Sequence, residues 1–202
     1  MKGKVFFAVI FVVLFFVAGR VDAEENLLLN PSFEEGEHID YWINDGAATY
    51  NWVADWNSQE GSWGFGVGND SDWAKDNVWA GCFQVVCDPD DSDNLYPVSP
   101  EENFTFKMWF KGEENYSGKA GLKLEFFDYD RRLGLTGDPI ASFESKTYTG
   151  SFDWCQETVS GVAPEDTVSI VVSGVSEDMP IGPQGGSFIW FDNASLTATS
   201  AQ

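Results

Sequence analysis

The sequence predicts an all-β fold, a two-sheet sandwich, and three observations carry that expectation. Short runs of alternating apolar and polar residues recur along the chain. Clusters of Gly, Pro, Asn and Asp separate them, and little of the chain after the first 23 residues reads as helix.

Taken in order, the expected strands are Leu27 to Asn30, Trp63 to Asn69, Cys82 to Cys87, Phe104 to Phe110, Leu122 to Tyr129, Trp154 to Val162, Val168 to Val175 and Phe188 to Leu196. Side chains alternate across a strand, so each run divides into two faces. Phe104, Phe106, Met108 and Phe110 form one apolar face, and Leu122, Leu124 and Phe126 form another. Val168, Ile170 and Val172 make a third, and Trp63, Phe65, Val67 and Asn69 oppose Gly64, Gly66 and Gly68. The acidic stretch Asp88 to Asn94 reads as a solvated loop; it lacks the Gly and the distal Glu of an EF-hand.

Composition bounds the function. The 202 residues carry 33 acidic and 11 basic side chains, a net charge of −22, which repels nucleic acid and anionic lipid. Apolar residues make up 43% of the chain and include nine Trp, enough to bury a core rather than remain disordered. Residues 1–23 read as a secretory signal: Lys2 and Lys4 precede an apolar run from Val5 to Ala18, and Val21-Asp22-Ala23 supplies the cleavage site. That run is too short to span about 30 Å of hydrocarbon. Residues 24–202 are then one domain with 8 basic and 32 acidic residues, secreted or extracellular (periplasmic if a bacterium retains it), with no membrane partner after cleavage. Three Cys in an exported protein allow at most one internal bridge, from Cys82 or Cys87 to Cys155.

The polar faces of the strands suggest the chemistry. Thr105, Lys107 and Trp109 stand opposite one core face, and Lys123, Glu125, Phe127 and Tyr129 opposite the next. Pyranose rings stack their apolar faces on aromatics and hydrogen-bond planar polar groups, and bare glycine lets a chain lie close to a sheet. Packing beneath a loop is the plainer role for any single one of these rings. Several together beside Lys107 and Glu125 favour a sugar-binding face.

These features occur inside a longer pattern. The opening Asn26 to Gly36 followed by Trp42, Gln84 after a Gly-rich run, the Phe104 to Lys111 strand, Trp154, the turn Ala163 to Thr167, and the closing Phe191 to Leu196 appear in that order over residues 26–198. Together they resemble carbohydrate-binding modules of the family 4, 9, 16 and 22 group. The resemblance implies a jelly-roll β-sandwich of the galactose-binding-like type, with no catalysis and a polysaccharide held on a concave sheet or in the loops at its edge. It also implies one structural Ca²⁺ held by the Ser32 carbonyl, Glu34, Glu60, the Trp63 carbonyl and Asp192; hard oxygen donors suit that ion. Trp73 and Phe127 or Tyr129 match sugar-stacking positions, and Arg131 and Arg132 would supply hydrogen bonds to sugar hydroxyls or a charge for uronic acids. The jelly-roll order further implies a Cys87–Cys155 bridge. The acidic insertion at 88–94 and the bulky Arg131-Arg132-Leu133 depart from the group's pattern near its ligand loops.

A neutral polysaccharide fits the charge best. The alternative is an extracellular structural or adhesive protein of the same fold with a protein or cell-surface partner. An enzyme is disfavoured, because Glu125 and Asp128 are three residues apart and point to opposite faces, and His38 stands alone. Four Asn-X-Ser/Thr sequons begin at Asn69, Asn103, Asn115 and Asn193.

Overall fold

A computed structural model describes residues 25–35, 40–46, 50–69, 78–134, 136–180 and 187–200. Among these residues lie thirteen strands: β1 (Ile43–Gly46), β2 (Tyr50–Ala54), β3 (Gly64–Asn69), β4 (Val78–Val85), β5 (Cys87–Asp88), β6 (Asp91–Leu95), β7 (Asn103–Gly112), β8 (Lys119–Phe127), β9 (Ala141–Glu144), β10 (Tyr148–Thr149), β11 (Phe152–Val162), β12 (Ser169–Met179) and β13 (Ser187–Thr199). The first sheet runs β1-β4-β12-β8-β10, with β9 also on β8, and the second runs β11-β7-β13-β3-β2. Every pairing is antiparallel, with successive strands repeatedly crossing between sheets, which makes a jelly-roll β-sandwich.

The predicted apolar faces build the core between the sheets. Phe104, Phe106, Met108 and Phe110 of β7 are fully buried against Leu122, Leu124 and Phe126 of β8 and Ile170 and Val172 of β12. Each such side chain contributes about 1.5–3 kcal/mol on leaving water. Phe65 and Val67 of β3 extend the same layer. At Gly174 a Cβ would stand 2.6 Å from the Phe191 ring and 2.9 Å from the Met108 sulfur, so only hydrogen fits where the sheets approach. Val168, expected in the core, is 44% exposed because β12 begins one residue later.

Two expected elements differ. The segment 27–30 joins the sheets rather than forming a strand of its own. Leu27 N–H donates to Leu196 O at 2.9 Å, and the Asn26 side chain bonds Ala194 O and Leu196 N–H on β13. The Gln84 side chain on β4 exchanges two hydrogen bonds with the Leu29 backbone, both 2.9 Å. Part of the acidic loop at 88–94 is a hairpin, because Cys87 pairs with Leu95 and Asp88 with Asp91, its side chains still mostly solvated.

The Cys87–Cys155 bridge is corrected: all three thiols are free. β4 and β11 do not run side by side. β4 lies inside the first sheet, whereas β11 edges the second, where the Cys155 thiol faces Phe110 O at 3.6 Å. Cys82 points into the core.

Candidate functional site

The outer face of the first sheet holds a cleft of about 300 Å³. Its floor follows from strand register. Ser173 of β12 lies between Phe83 of β4 and Lys123 of β8, and one rung along, Val171 lies between Val85 and Glu125. Trp79, Asp45 of β1 and Phe127 add to the lining, and Arg131, Gly137 and Pro139 close one side.

The turn after β8 positions that side. Phe127 packs edge-on to Tyr129 with centroids 5.4 Å apart, and the Tyr129 hydroxyl donates to Gly137 O at 3.1 Å. Ser169 donates to Tyr129 O at 2.7 Å and accepts the Arg131 N–H at 3.3 Å, which starts the short 3₁₀ turn Arg131–Leu133. Asp130 caps that turn by accepting from Arg132 N–H. The Arg131 guanidinium then stands 5.9 Å from the Phe127 centroid and 6.0 Å from that of Phe83, a cation held by two ring faces. Arg132, expected to contact sugar, instead pairs with Asp130 at 2.9 Å and donates to Asp93 O at 2.8 Å, fastening the acidic hairpin.

Charge within the cleft is balanced locally. Burial works against the Lys123 ammonium, but hydrogen bonds to Glu177 (2.9 Å) and Glu144 (3.2 Å) outweigh it and hold its pKa above the ordinary value. Burial raises the Glu125 carboxyl above its usual range, opposed by Lys123, by a Ser142 hydroxyl at 3.5 Å and by Arg131. The cleft thus presents aromatic edges, one guanidinium, one carboxyl poised to accept or donate, and a serine hydroxyl.

The structure divides the expected sugar-binding set. Glu125, Phe127, Tyr129 and Arg131 gather at this cleft, Tyr129 as support for its wall. Lys107 and Trp109 do not join them, which corrects the expectation of one shared face. They lie on the outer side of β7, in the opposite sheet, with Trp109 level with Asp192 and Gln156. Trp73 lies outside the described residues, as does His38. Trp79, Phe83 and Asp45 join the cleft without a sequence expectation, whereas Ser173 lies on the outward face that alternation along its strand assigns it. The alternation of Phe83 and Val85 with Cys82 and Gln84 carried the signal, but β4 starts at Val78, earlier than expected.

The expected calcium residues meet elsewhere. The loop from Asp55 to Trp63 folds over the end of the second sheet, where Ser32, Glu34, Glu60, Gly61 and Asn193 line a cavity of about 300 Å³. Glu34 accepts the N–H groups of Ser62 and Trp63 at 2.8 and 2.7 Å, and Asn193 donates to Glu60 at 3.0 Å. A Cβ on Gly61, which has φ +74°, would stand 2.4 Å from the Glu34 carboxylate. Asp192 is wholly buried and accepts from the amides of Gln59, Glu60 and Asn193. Burial pushes its carboxyl up to about 6; those amides oppose the shift and Glu34 adds to it. The donors fit a hard cation in kind, being hard oxygens, but only Glu34 and Glu60 line the opening, while Asp192 is buried beside it. As placed they are satisfied by protein N–H groups, and no group of three or more acidic, His or Cys side chains among the described residues stands at metal-holding distance.

The chain has the jelly-roll β-sandwich fold of carbohydrate-binding modules. It is similar to Clostridium thermocellum endo-1,4-β-D-xylanase 10B, solved as its CBM22-1 and GH10 modules with xylohexaose: 16% identity, TM-score 0.58, covering 88% of this chain and 29% of that one. A family 16 carbohydrate-binding module matches at 15% identity and TM-score 0.54, over 85% of this chain and 99% of that one. The Stig cyclase Fisc of Fischerella sp. TAU, an enzyme, matches at 16% and 0.58, over 89% and 100%. Two of the first structures matched are much longer, and this chain spans only 21% and 29% of them. No protein-family model matches the chain, and no curated protein matches it in sequence.

Proposed function

We propose that the protein is a secreted, non-catalytic carbohydrate-binding protein that holds a neutral polysaccharide in the cleft on the outer face of the first sheet. The observation that carries this reading is the lining itself: Trp79, Phe83 and Phe127 beside Ser173, Glu125 and Arg131 on neighbouring strands. Arg131 already covers Phe83 and Phe127, so the half-buried Trp79 is the ring offered to the apolar face of a pyranose, while the carboxyl, guanidinium and hydroxyl match sugar hydroxyls. The net charge of −22 opposes polyanionic glycans, and Lys123 is already neutralised by Glu144 and Glu177.

The spacing of carboxylates supports binding without bond cleavage. Asp45 and Glu125 both line the cleft, but β1 and β8 are three strand spacings apart. That is about 14 Å at the backbone, wider than the roughly 5–9.5 Å between the paired carboxyl groups of glycosidases. A structural Ca²⁺ would be held by Glu34, Glu60, Asp192 and the carbonyls of Ser32 and Trp63, tying the N-terminal loop to β13.

Affinity electrophoresis against neutral xylans, glucans and mannans tests the reading, with Trp79→Ala and Glu125→Gln in parallel. Retardation by at least one glycan, weakened in both variants, is expected. Unretarded migration on every gel would instead favour an adhesive protein of the same fold.

A further inference from the structure

The outer face of the second sheet carries an aromatic cluster that the cleft leaves unexplained. Trp52 of β2, Gly66 of β3, Trp190 of β13 and Lys111 of β7 lie in one row across four strands. Gly66 and Gly68, expected to leave space for a ligand, are instead roofed by rings. A Cβ on Gly66 would be 2.7 Å from the Trp190 ring, and one on Gly68 1.9 Å from that of Phe188. Trp52 meets Phe188 and Trp190 edge-on, with centroids 5.5 and 5.7 Å apart.

Above this layer sits Trp56, near the start of the loop that folds over the sheet. Its centroid is 6.0 Å from that of Trp190 and 6.4 Å from that of Trp52, so two rings fix its orientation. Yet Trp56 is 70% exposed, the largest aromatic side chain left to solvent among the described residues. A core lid would bury that surface. Beneath it, the buried Trp190 indole N–H has no hydrogen-bond acceptor among the described residues, which a cluster kept only for stability would avoid. The rim beside Trp56 is polar and ordered. Asn57 donates to Glu113 at 2.5 Å and accepts from the Lys111 ammonium at 3.3 Å.

We propose that Trp56 is the platform of a second glycan-binding surface, taking the apolar face of a neutral pyranose while the Asn57, Lys111 and Glu113 rim meets its hydroxyls. A rigid exposed indole beside a planar amide and paired charges matches a sugar ring in both halves of its chemistry. A second copy of this chain fits less well, because copies with a net charge of −22 repel one another. The cleft and Trp56 lie on opposite outer faces of the sandwich, so the protein is bivalent and bridges two glycan chains rather than gripping one chain twice. Binding at Trp56 is separate from the cleft, whereas the bivalency rests on the proposed cleft reading.

Isothermal titration with xylohexaose, cellohexaose and laminarihexaose, together with turbidity of the parent polysaccharides, tests the inference on the full protein. Trp56→Ala is expected to remove one of two binding events and abolish crosslinking, with a loss of about tenfold or more at that site, and Trp56→Phe to restore part of it. Glu125→Gln is expected to weaken only the other event. Unchanged stoichiometry and crosslinking in Trp56→Ala, with an intact far-UV spectrum, would overturn the inference. So would sedimentation showing that wild type is a dimer which Trp56→Ala dissociates.

Discussion

Asp192 accepts the Gln59 amide at 2.7 Å across a separation of 133 residues, and the Glu60 amide at 3.2 Å. This buried carboxylate on β13 therefore anchors the loop that carries both Trp56 and the Glu60 side of the acidic cavity. Replacing it by Ala leaves partly buried N–H groups without acceptors, at about 1–3 kcal/mol each where water does not enter. Asp192→Ala is expected to lower the melting temperature by at least about 4 °C. Asp192→Asn, which keeps one acceptor oxygen, should lose less. Equal melting temperatures for Asp192→Ala and wild type would show that the anchor is dispensable.

The same carboxylate sets a pH and metal prediction. Its folded value of about 6 lies above the ordinary 3.8, so its contribution to stability is complete below the unfolded value and is lost as pH rises through the folded one. In excess chelator, acidification from about pH 7 to about pH 5 should therefore raise the melting temperature, Asp192 supplying about 1 kcal/mol over that interval. A bound cation favours the ionised form, so Ca²⁺ at neutral pH should raise the melting temperature and flatten that slope. Asp192→Asn should show neither effect from this site. Superimposable curves with Ca²⁺ and with chelator would remove the ion from the proposal.

How much of this was legible in the chain is clearest at β7 and β8. Alternation identified Phe106 and Leu124 as core and Lys107 and Glu125 as outward, and all four are as expected. It held no information on which sheet each strand joins. The two strands follow one another, but each pairs within a different sheet, so their outer faces look in opposite directions. The Gly64, Gly66 and Gly68 run likewise signalled a face without side chains. Its occupants, Phe188 and Trp190, lie more than a hundred residues downstream, and only register brings them over the glycines. The Asp192 and Glu34 grouping came from the family resemblance, since no local spacing links residues so far apart.

Free thiols give a direct check on the strand order. Burial takes the Cys82 thiol far above its usual range. Cys155 is pushed up to about 11 by burial and the Glu157 carboxylate, against Lys146, and burial raises Cys87 against Arg132. Few thiolates exist at neutral pH, so labelling of the native protein should be slow. Cys87 and Cys155, both partly exposed, should react first and Cys82 only on unfolding. A peptide pair linked through Cys87 and Cys155 under non-reducing digestion would contradict the placement of β4 and β11 in different sheets.

Glu125 supplies the sharpest test of the cleft. Its carboxyl lies above the usual 4.5 because burial penalises the charged form more than Lys123, Ser142 and Arg131 repay it. As a carboxylate it accepts hydrogen bonds from sugar hydroxyls; protonated, it surrenders one acceptor and gains a donor. Affinity for a neutral oligosaccharide should therefore fall on acidification while pH is still above 4.5, where an ordinary surface glutamate remains ionised. Stability moves the other way at this residue, since a raised folded value favours the protonated fold. Glu125→Gln keeps the shape and one acceptor but cannot ionise, so it should bind on the order of tenfold more weakly at neutral pH, with a flat pH profile. Titration calorimetry across that range separates the possibilities, because a slope that survives in Glu125→Gln would belong to another group and remove Glu125 from the contact with sugar.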